Sequence, residues 1–196
     1  LDHTSEFYTT PGAFDKLIAL LEKPRTPFER MLVGLYIYKV EDLYHFKAMQ
    51  ALFADRLSEA ESLMEKAGEY GTRDLGVNPF NAYIPDWESR GKAKTGYTAL
   101  SLIKKMQEGE AKIKRGEDVY NNALLLGNAF YNITYYGTAQ PFWRSQLIGA
   151  DRPTVIPCYA RRMMLDCSLA KKYYRMAFNA ANTDEERAKA VFFSIR

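Results

Sequence analysis

The sequence predicts an all-α protein built of antiparallel helical hairpins that stack side by side, with two irregular insertions. Apolar residues recur at helical spacing along most of the chain, and no segment between turn signals alternates apolar and polar residues as a strand does. Alanine and glycine also recur at fixed intervals on successive predicted helices. With 196 residues, 47% of them hydrophobic and 26% charged, the chain has the size and composition of one globular domain. We therefore predict a single helical domain over residues 1–196.

Two proline-containing signals predict where the first helices begin. Thr10 is a candidate N-cap, and Pro11 suits the first helical position because its fixed φ matches a helix. Thr26 and Glu29 form a capping-box pattern, in which each side chain can bond the backbone N–H of the other residue. We therefore predict one helix beginning at Pro11 and a second beginning at Pro27.

Glycine and proline divide the rest of the chain. Residues 27–68 contain almost no helix breaker, which predicts two or three helices with turns near 39–42 and 55–58. Residues 69–98 and 137–157 are rich in glycine and proline, which predicts irregular structure there. The remaining segments have helical periodicity, namely 98–115, 117–136, 158–181 and 183–196.

A spacing of large and small residues marks segment 41–74 as a hairpin of two closely packed helices. With Glu41 as position 1, positions 4, 8, 11, 20, 24 and 27 are occupied by Tyr44, Ala48, Ala51, Ala60, Met64 and Ala67. Small side chains let two antiparallel helices approach, while larger ones fill the space between hairpins. Part of the same spacing recurs later, at Gly127, Phe130, Ala170, Tyr174, Ala177, Ala190 and Phe193.

This pattern resembles tetratricopeptide-like helical repeats over about half of the chain. The resemblance implies a superhelical row of hairpins, the second of which would carry an insertion over residues 131–166. The segment departs from the repeat pattern in three ways. Ala51 is small where a large residue is usual, Lys47 replaces a leucine, and no proline ends the unit.

Segment 128–137, with the sequence Asn-Ala-Phe-Tyr-Asn-Ile-Thr-Tyr-Tyr-Gly, supports a second resemblance together with residues 177–190. It is similar to large uncharacterised helical-repeat proteins of certain Gram-negative bacteria. That resemblance implies a location in the cell envelope and carries over no catalytic residue. The chain begins at Leu1, and its last predicted helix has an apolar face where repeat arrays usually have a polar cap, so we expect a segment of a longer protein.

Residues that commonly carry chemistry are few and scattered. The two cysteines, Cys158 and Cys167, and the two histidines, His3 and His45, show no metal-ligand spacing. The sequence contains no nucleophile elbow and no phosphate-binding glycine motif. We therefore predict no catalytic residue, no metal and no cofactor. Spacing leaves open whether the two cysteines form a disulfide.

Charge is small in total and uneven along the chain. The formal net charge is +3. Residues 1–98 have 12 Lys/Arg against 15 Asp/Glu, a net −3, and residues 99–196 have 15 against 9, a net +6. A basic second half suits acidic partners, and a solvated helical surface would give the same counts. No apolar run reaches the length of a membrane helix, so we predict no transmembrane segment.

The strongest candidate for a binding site is a basic, aromatic stretch in and after the second irregular segment. Trp143, Arg144 and Arg161 are its central members, because tryptophan and arginine are frequent at interface hot spots. Tyr131 and Tyr135, on a helix rich in tyrosine and asparagine, are predicted to line a groove. A core tryptophan with tyrosines at the core edge is the alternative interpretation. The sequence thus favours a non-catalytic helical-repeat module that binds or scaffolds a protein or peptide.

Two other functions remain open at this point. Tyr83, Trp87 and Trp143 could form an aromatic platform for glycans, as in an envelope carbohydrate-binding protein related in style to starch-utilisation lipoproteins. The basic second half could instead bind nucleic acid, in which case affinity would fall steeply as salt rises.

Overall fold

A computed structural model describes residues 10–82, 96–149 and 157–195 of the chain. In these ranges the secondary structure is helical, apart from an isolated antiparallel bridge between Asp74 and Thr98. The prediction of an all-α protein is therefore confirmed.

The α-helices are numbered here in chain order. They are α1 (Ala13–Glu22), α2 (Pro27–Leu35), α3 (Val40–Phe53), α4 (Leu57–Glu65), α5 (Glu69–Thr72), α6 (Ala99–Lys114), α7 (Val119–Asn132), α8 (Cys158–Leu165), α9 (Ser168–Ala180) and α10 (Asp184–Ser194). A short 3-10 helix, Gln140–Phe142, lies between α7 and α8.

The long helices pack as a row. The principal contacts join α2 to α1, α1 to α3, α3 to α4, α4 to α6, α6 to α7, α7 to α9 and α9 to α10. The four-residue α5 lies beside α3, α4 and α6. One continuous hydrophobic core extends along this row, from Phe14 in α1 to Ala190 in α10. Each long helix thus packs on the next, and among the described helices α2 and α10, at the two ends, have one principal neighbour each.

A reciprocal capping box begins three of the ten described helices, and the one at Thr26 follows the predicted pattern. The Thr26 hydroxyl accepts a hydrogen bond from the backbone N–H of Glu29 at 3.1 Å, and the Glu29 carboxylate accepts one from the N–H of Thr26 at 2.8 Å. Reciprocal boxes of the same kind begin α6 at Thr98 and α10 at Thr183. The first helix differs, because Gly12 has a left-handed φ of 75° and α1 therefore begins at Ala13 rather than at Pro11.

The prediction of one helix over 158–181 is wrong. Asp166 has an extended backbone, with a ψ of 113°, and it separates α8 from α9. Its carboxylate accepts a hydrogen bond from the N–H of Ser168 at 2.8 Å, which satisfies a donor at the start of α9. The helix predicted to reach residue 136 ends at Asn132, where the chain folds back and the N–H of Ala139 donates to the Asn132 carbonyl at 2.9 Å.

The small residues of the repeated spacing lie where helices meet. Ala48, Ala60 and Ala170 are all buried, so none of the three faces water. In segment 41–74 the other positions of the spacing are also buried, with the exception of Tyr44, which is half-buried. These small residues therefore belong to the packed interior, as their predicted role requires.

The closest approach between helices in the second half occurs at Gly127 of α7. A Cβ atom built at this glycine would lie 2.5 Å from Cε1 and 2.6 Å from Cδ1 of Tyr174 on α9. The Tyr174 ring thus occupies the space that a side chain at position 127 would need. Next to this contact, the rings of Phe130 and Tyr173 stack at 5.3 Å with an angle of 8° between their planes. Aromatic rings therefore pack α7 against α9 at the glycine and next to it.

Two buried amides on α7 bind irregular backbone to the core. Asn128 accepts a hydrogen bond from the Tyr174 hydroxyl at 2.9 Å and donates to the Phe80 carbonyl at 2.9 Å. One turn further along, Asn132 donates to the carbonyls of Pro79 and Asn81 at 2.8 and 2.9 Å. Because these backbone carbonyls lie outside regular helices, the amides supply the partners that burial demands.

We expect Gly127→Ala to lower the free energy of unfolding by about 2 kcal/mol, because the added methyl overlaps a fully buried ring. Gly109→Ala on α6 is the matched control, since its Cβ would lie at an ordinary 3.6 Å from Leu126. Alanine is the better helix former, so the control should be up to about 1 kcal/mol more stable than the wild type. Urea unfolding followed by circular dichroism measures both values. Equal effects at the two glycines would contradict the close contact with Tyr174.

Candidate functional site

Two clefts open on either side of the turn between α8 and α9. The first, which we call the apolar cleft, has a volume of about 340 Å³. It lies among α7, α9 and α10, and its walls are formed by Tyr131, Tyr136, Cys167, Ser168, Ala170, Lys171, Tyr174, Phe193 and Ser194. The rings of Tyr174 and Phe193 lie 5.8 Å apart and form one of its walls.

The second, which we call the polar cleft, has a volume of about 450 Å³. It lies between the end of α3 and α8, and its walls are formed by Gln50, Phe53, Ala54, Arg56, Tyr159, Arg162, Met163, Asp166, Ser168 and Leu169. Ser168 lines both clefts, so they lie next to each other at the start of α9. An elongated ligand could therefore occupy both.

The α3–α4 turn holds the start of α9 in place beside the polar cleft. Asp55 in this turn has a left-handed φ of 60°, a conformation that aspartate tolerates better than most residues. Its carboxylate accepts a hydrogen bond from the Tyr173 hydroxyl at 3.1 Å and forms an ion pair with Lys172. Burial is the main cause that raises the pKa of Tyr173, and the nearby Asp55 carboxylate raises it further, so the hydroxyl remains a donor.

Two cations beside the clefts have no counter-charge among the described residues. Lys171 lines the apolar cleft and Arg162 lines the polar cleft, and both are exposed. The side chains of both lack an ion pair or hydrogen bond with any residue that the structure describes. Arg56, on the far wall of the polar cleft, uses its Nε for Glu59 at 2.6 Å. The Asp166 carboxylate is already occupied by the N–H of Ser168.

The thiol in the apolar cleft is not activated. Burial raises the pKa of Cys167, and the nearby Asp166 charge raises it further, although the Thr134 hydroxyl lowers it in part. Since the thiolate is the reactive form, a raised pKa keeps this side chain in its unreactive neutral state. The Cys158 side chain lies outside the described residues, so the disulfide question stays open.

The structure distributes the predicted binding residues over three environments. Tyr131 lines the apolar cleft, and Tyr135 is half-buried with its ring 5.7 Å from that of Tyr136 on the cleft wall. Trp143 is completely buried, with its ring 6.4 Å from that of Tyr135. Because no part of the indole reaches the surface, we do not include Trp143 in the candidate site.

The two predicted arginines belong to neither cleft. Arg144 is exposed, and its guanidinium donates to the side-chain oxygen of Gln140 at 3.0 Å. Arg161 is half-buried on α8. The two cleft cations without a described counter-charge, Lys171 and Arg162, belong to the same basic stretch of the sequence, but sequence alone does not distinguish them from their neighbours.

Buried side chains fix the loop that carries Trp143 and Arg144. His45 on α3 lies with its Nε2 2.8 Å from the Phe142 carbonyl, so this nitrogen carries the proton. The ring also stacks on Tyr70, with centroids 4.4 Å apart. Arg73 donates to the carbonyls of Pro141 and Arg144, the latter at 2.7 Å. The loop is therefore a packed part of the core rather than a free binding arm.

The glycan-platform hypothesis stays a prediction, because the structure describes only one of its three aromatic residues. Tyr83 and Trp87 lie outside the described residues, and Trp143 is buried. No group of three or more His, Cys, Asp or Glu in the described ranges is arranged to hold a metal ion. Within the same ranges, no helix has both the length and the apolar character needed to cross a membrane.

Comparisons with protein-family models, with curated proteins and with solved structures find no match to this chain. The site must therefore be interpreted from its own residues.

Acid should weaken the fold through His45. Burial lowers the pKa of His45 from its ordinary 6.5 to about 4, so the folded protein does not take up the proton that the unfolded chain binds. Stability that is fully present above pH 6.5 should fall as the pH drops from 6.5 towards 4, by roughly 3 kcal/mol.

Urea unfolding at a series of pH values measures this loss. His45→Gln is the control, because glutamine can still donate to the Phe142 carbonyl but does not titrate. The variant should lose less stability than the wild type over the same pH window. Parallel curves for the two proteins would show that His45 does not contribute.

Proposed function

We propose that this protein is a non-catalytic helical-repeat module that binds a segment of another protein or a peptide. The paired clefts at the α8–α9 turn are the observation that carries the proposal. They combine an apolar cavity with polar walls and unpaired cations, which is the composition of surfaces that bind side chains of a partner.

The arrangement of the helices supports the repeat part of the proposal. Each long helix contacts mainly its two neighbours in the row. Small residues lie at these contacts. Repeat proteins are quasi-one-dimensional in this sense, and their rows create surfaces that bind partners by shape. A tetratricopeptide-like organisation is the form of repeat that we propose for this chain.

The chemistry of the site supports the non-catalytic part of the proposal. Cys167, the one thiol on the cleft walls, is held in its neutral form. The histidine of the described residues, His45, is buried and bonded to backbone rather than directed at a cleft. Among the described residues, the Cys167 thiol is therefore not paired with a histidine base.

Binding should depend on the exposed tyrosine of the apolar cleft. A peptide-display library selected on the purified protein would supply a ligand, and fluorescence anisotropy would measure its dissociation constant. We expect Tyr136→Ala to weaken binding about tenfold, because an aromatic side chain at an interface contributes more than about 1 kcal/mol.

Phe28→Ala on α2 is the matched control, since Phe28 is an exposed aromatic at the other end of the row. It should leave the dissociation constant unchanged. A selected peptide that binds wild type and Tyr136→Ala equally well would exclude the apolar cleft as the binding site.

A further inference from the structure

We propose that the partner segment is acidic: an apolar side chain enters the apolar cleft while flanking carboxylates pair with Lys171 and Arg162. This inference rests on the proposed function and names the chemistry of its ligand. It follows from the charges around the two clefts rather than from their shape alone.

The first step concerns the cations that are available for pairing. Two of the described basic side chains close to the clefts are already engaged, Lys172 with Asp55 and Arg56 with Glu59. Lys171 and Arg162 differ, because neither has a counter-charge among the described residues. Each can therefore form an ion pair with a ligand without first breaking one within the protein.

The second step concerns their position. Lys171 lies on the wall of the apolar cleft and Arg162 on the wall of the polar cleft, and the clefts lie next to each other at Ser168. One extended segment that crosses Ser168 would therefore have a cation on each side of the turn. Arginine suits carboxylates through its two parallel donors, while lysine supplies a compact charge.

The third step concerns opposing charge. The described cleft walls have one carboxylate, that of Asp166, against three cations, Arg56, Arg162 and Lys171, of which Arg56 is paired with Glu59. The field is further biased by the second half of the chain, which has 15 Lys/Arg against 9 Asp/Glu. A ligand with negative charge is therefore favoured over a neutral or basic one both on approach and when bound.

A defined set of peptides tests this inference. The probe is a fluorescein-labelled nine-residue peptide with a central phenylalanine and two glutamates on each side of it. Two further peptides replace the four glutamates with glutamine or with lysine. We expect the glutamate peptide to bind the intact protein at least tenfold more tightly than the glutamine peptide, and the lysine peptide to bind least.

Charge-removing variants locate the effect. Lys171→Gln and Arg162→Gln should each weaken binding of the glutamate peptide about three- to fivefold and leave the glutamine peptide unaffected. Lys16→Gln and Arg30→Gln are matched controls, because both are exposed cations on α1 and α2, away from the clefts. The controls should leave binding of either peptide unchanged.

The outcomes separate the two proposals. Equal binding of the glutamate and glutamine peptides, together with a loss in Tyr136→Ala, would overturn the acidic ligand but leave the binding site in place. Binding of the acidic peptide that is weakened equally by the cleft variants and by the controls would show non-specific charge attraction and overturn this inference. Binding that none of these variants affects would contradict both proposals.

Discussion

The contact between Gly127 and Tyr174 is the constraint on which the second half of this structure depends. Because Gly127 has no side chain, the tyrosine ring can fill the space beside it. α7 and α9 can therefore approach closely. The same tyrosine donates to Asn128, and its ring also forms a wall of the apolar cleft. The geometry of the candidate site is therefore a direct consequence of helix packing, because one side chain serves both.

Three buried polar side chains and the half-buried Arg73 extend this order to segments that lack regular structure. Asn128 and Asn132 bind the backbone around Phe80, while His45 and Arg73 bind the loop that contains Trp143. Backbone carbonyls need partners when they are buried, and these side chains provide them where helices do not. The irregular segments that the structure describes are thus packed against the core, and the apolar and polar clefts open beside the α8–α9 turn.

The predicted site and the observed clefts overlap only in part, because the clefts are formed by residues from several helices. The sequence predicts both Tyr131 and Trp143 for the binding site. Tyr131 lies on the wall of the apolar cleft, whereas Trp143 lies in the core. Residue type alone does not predict which of the two aromatic residues lies in the core. Tyrosine and tryptophan both occur at interfaces and in protein interiors. The cleft also depends on Phe193 and Ser168, which come from other helices and carry no local signal of proximity to Tyr131.

Local interactions are what the sequence by itself determined about this protein. The all-α class, the capping boxes at Thr26 and Thr183 and the turns between α2, α3 and α4 follow from residues within a few positions of each other. Only the tertiary structure decided that Trp143 is buried, that Gly127 receives Tyr174 and that two clefts lie next to each other at Ser168. Those features join residues far apart in the chain, and their energy comes from packing between helices, which spacing along one helix does not encode.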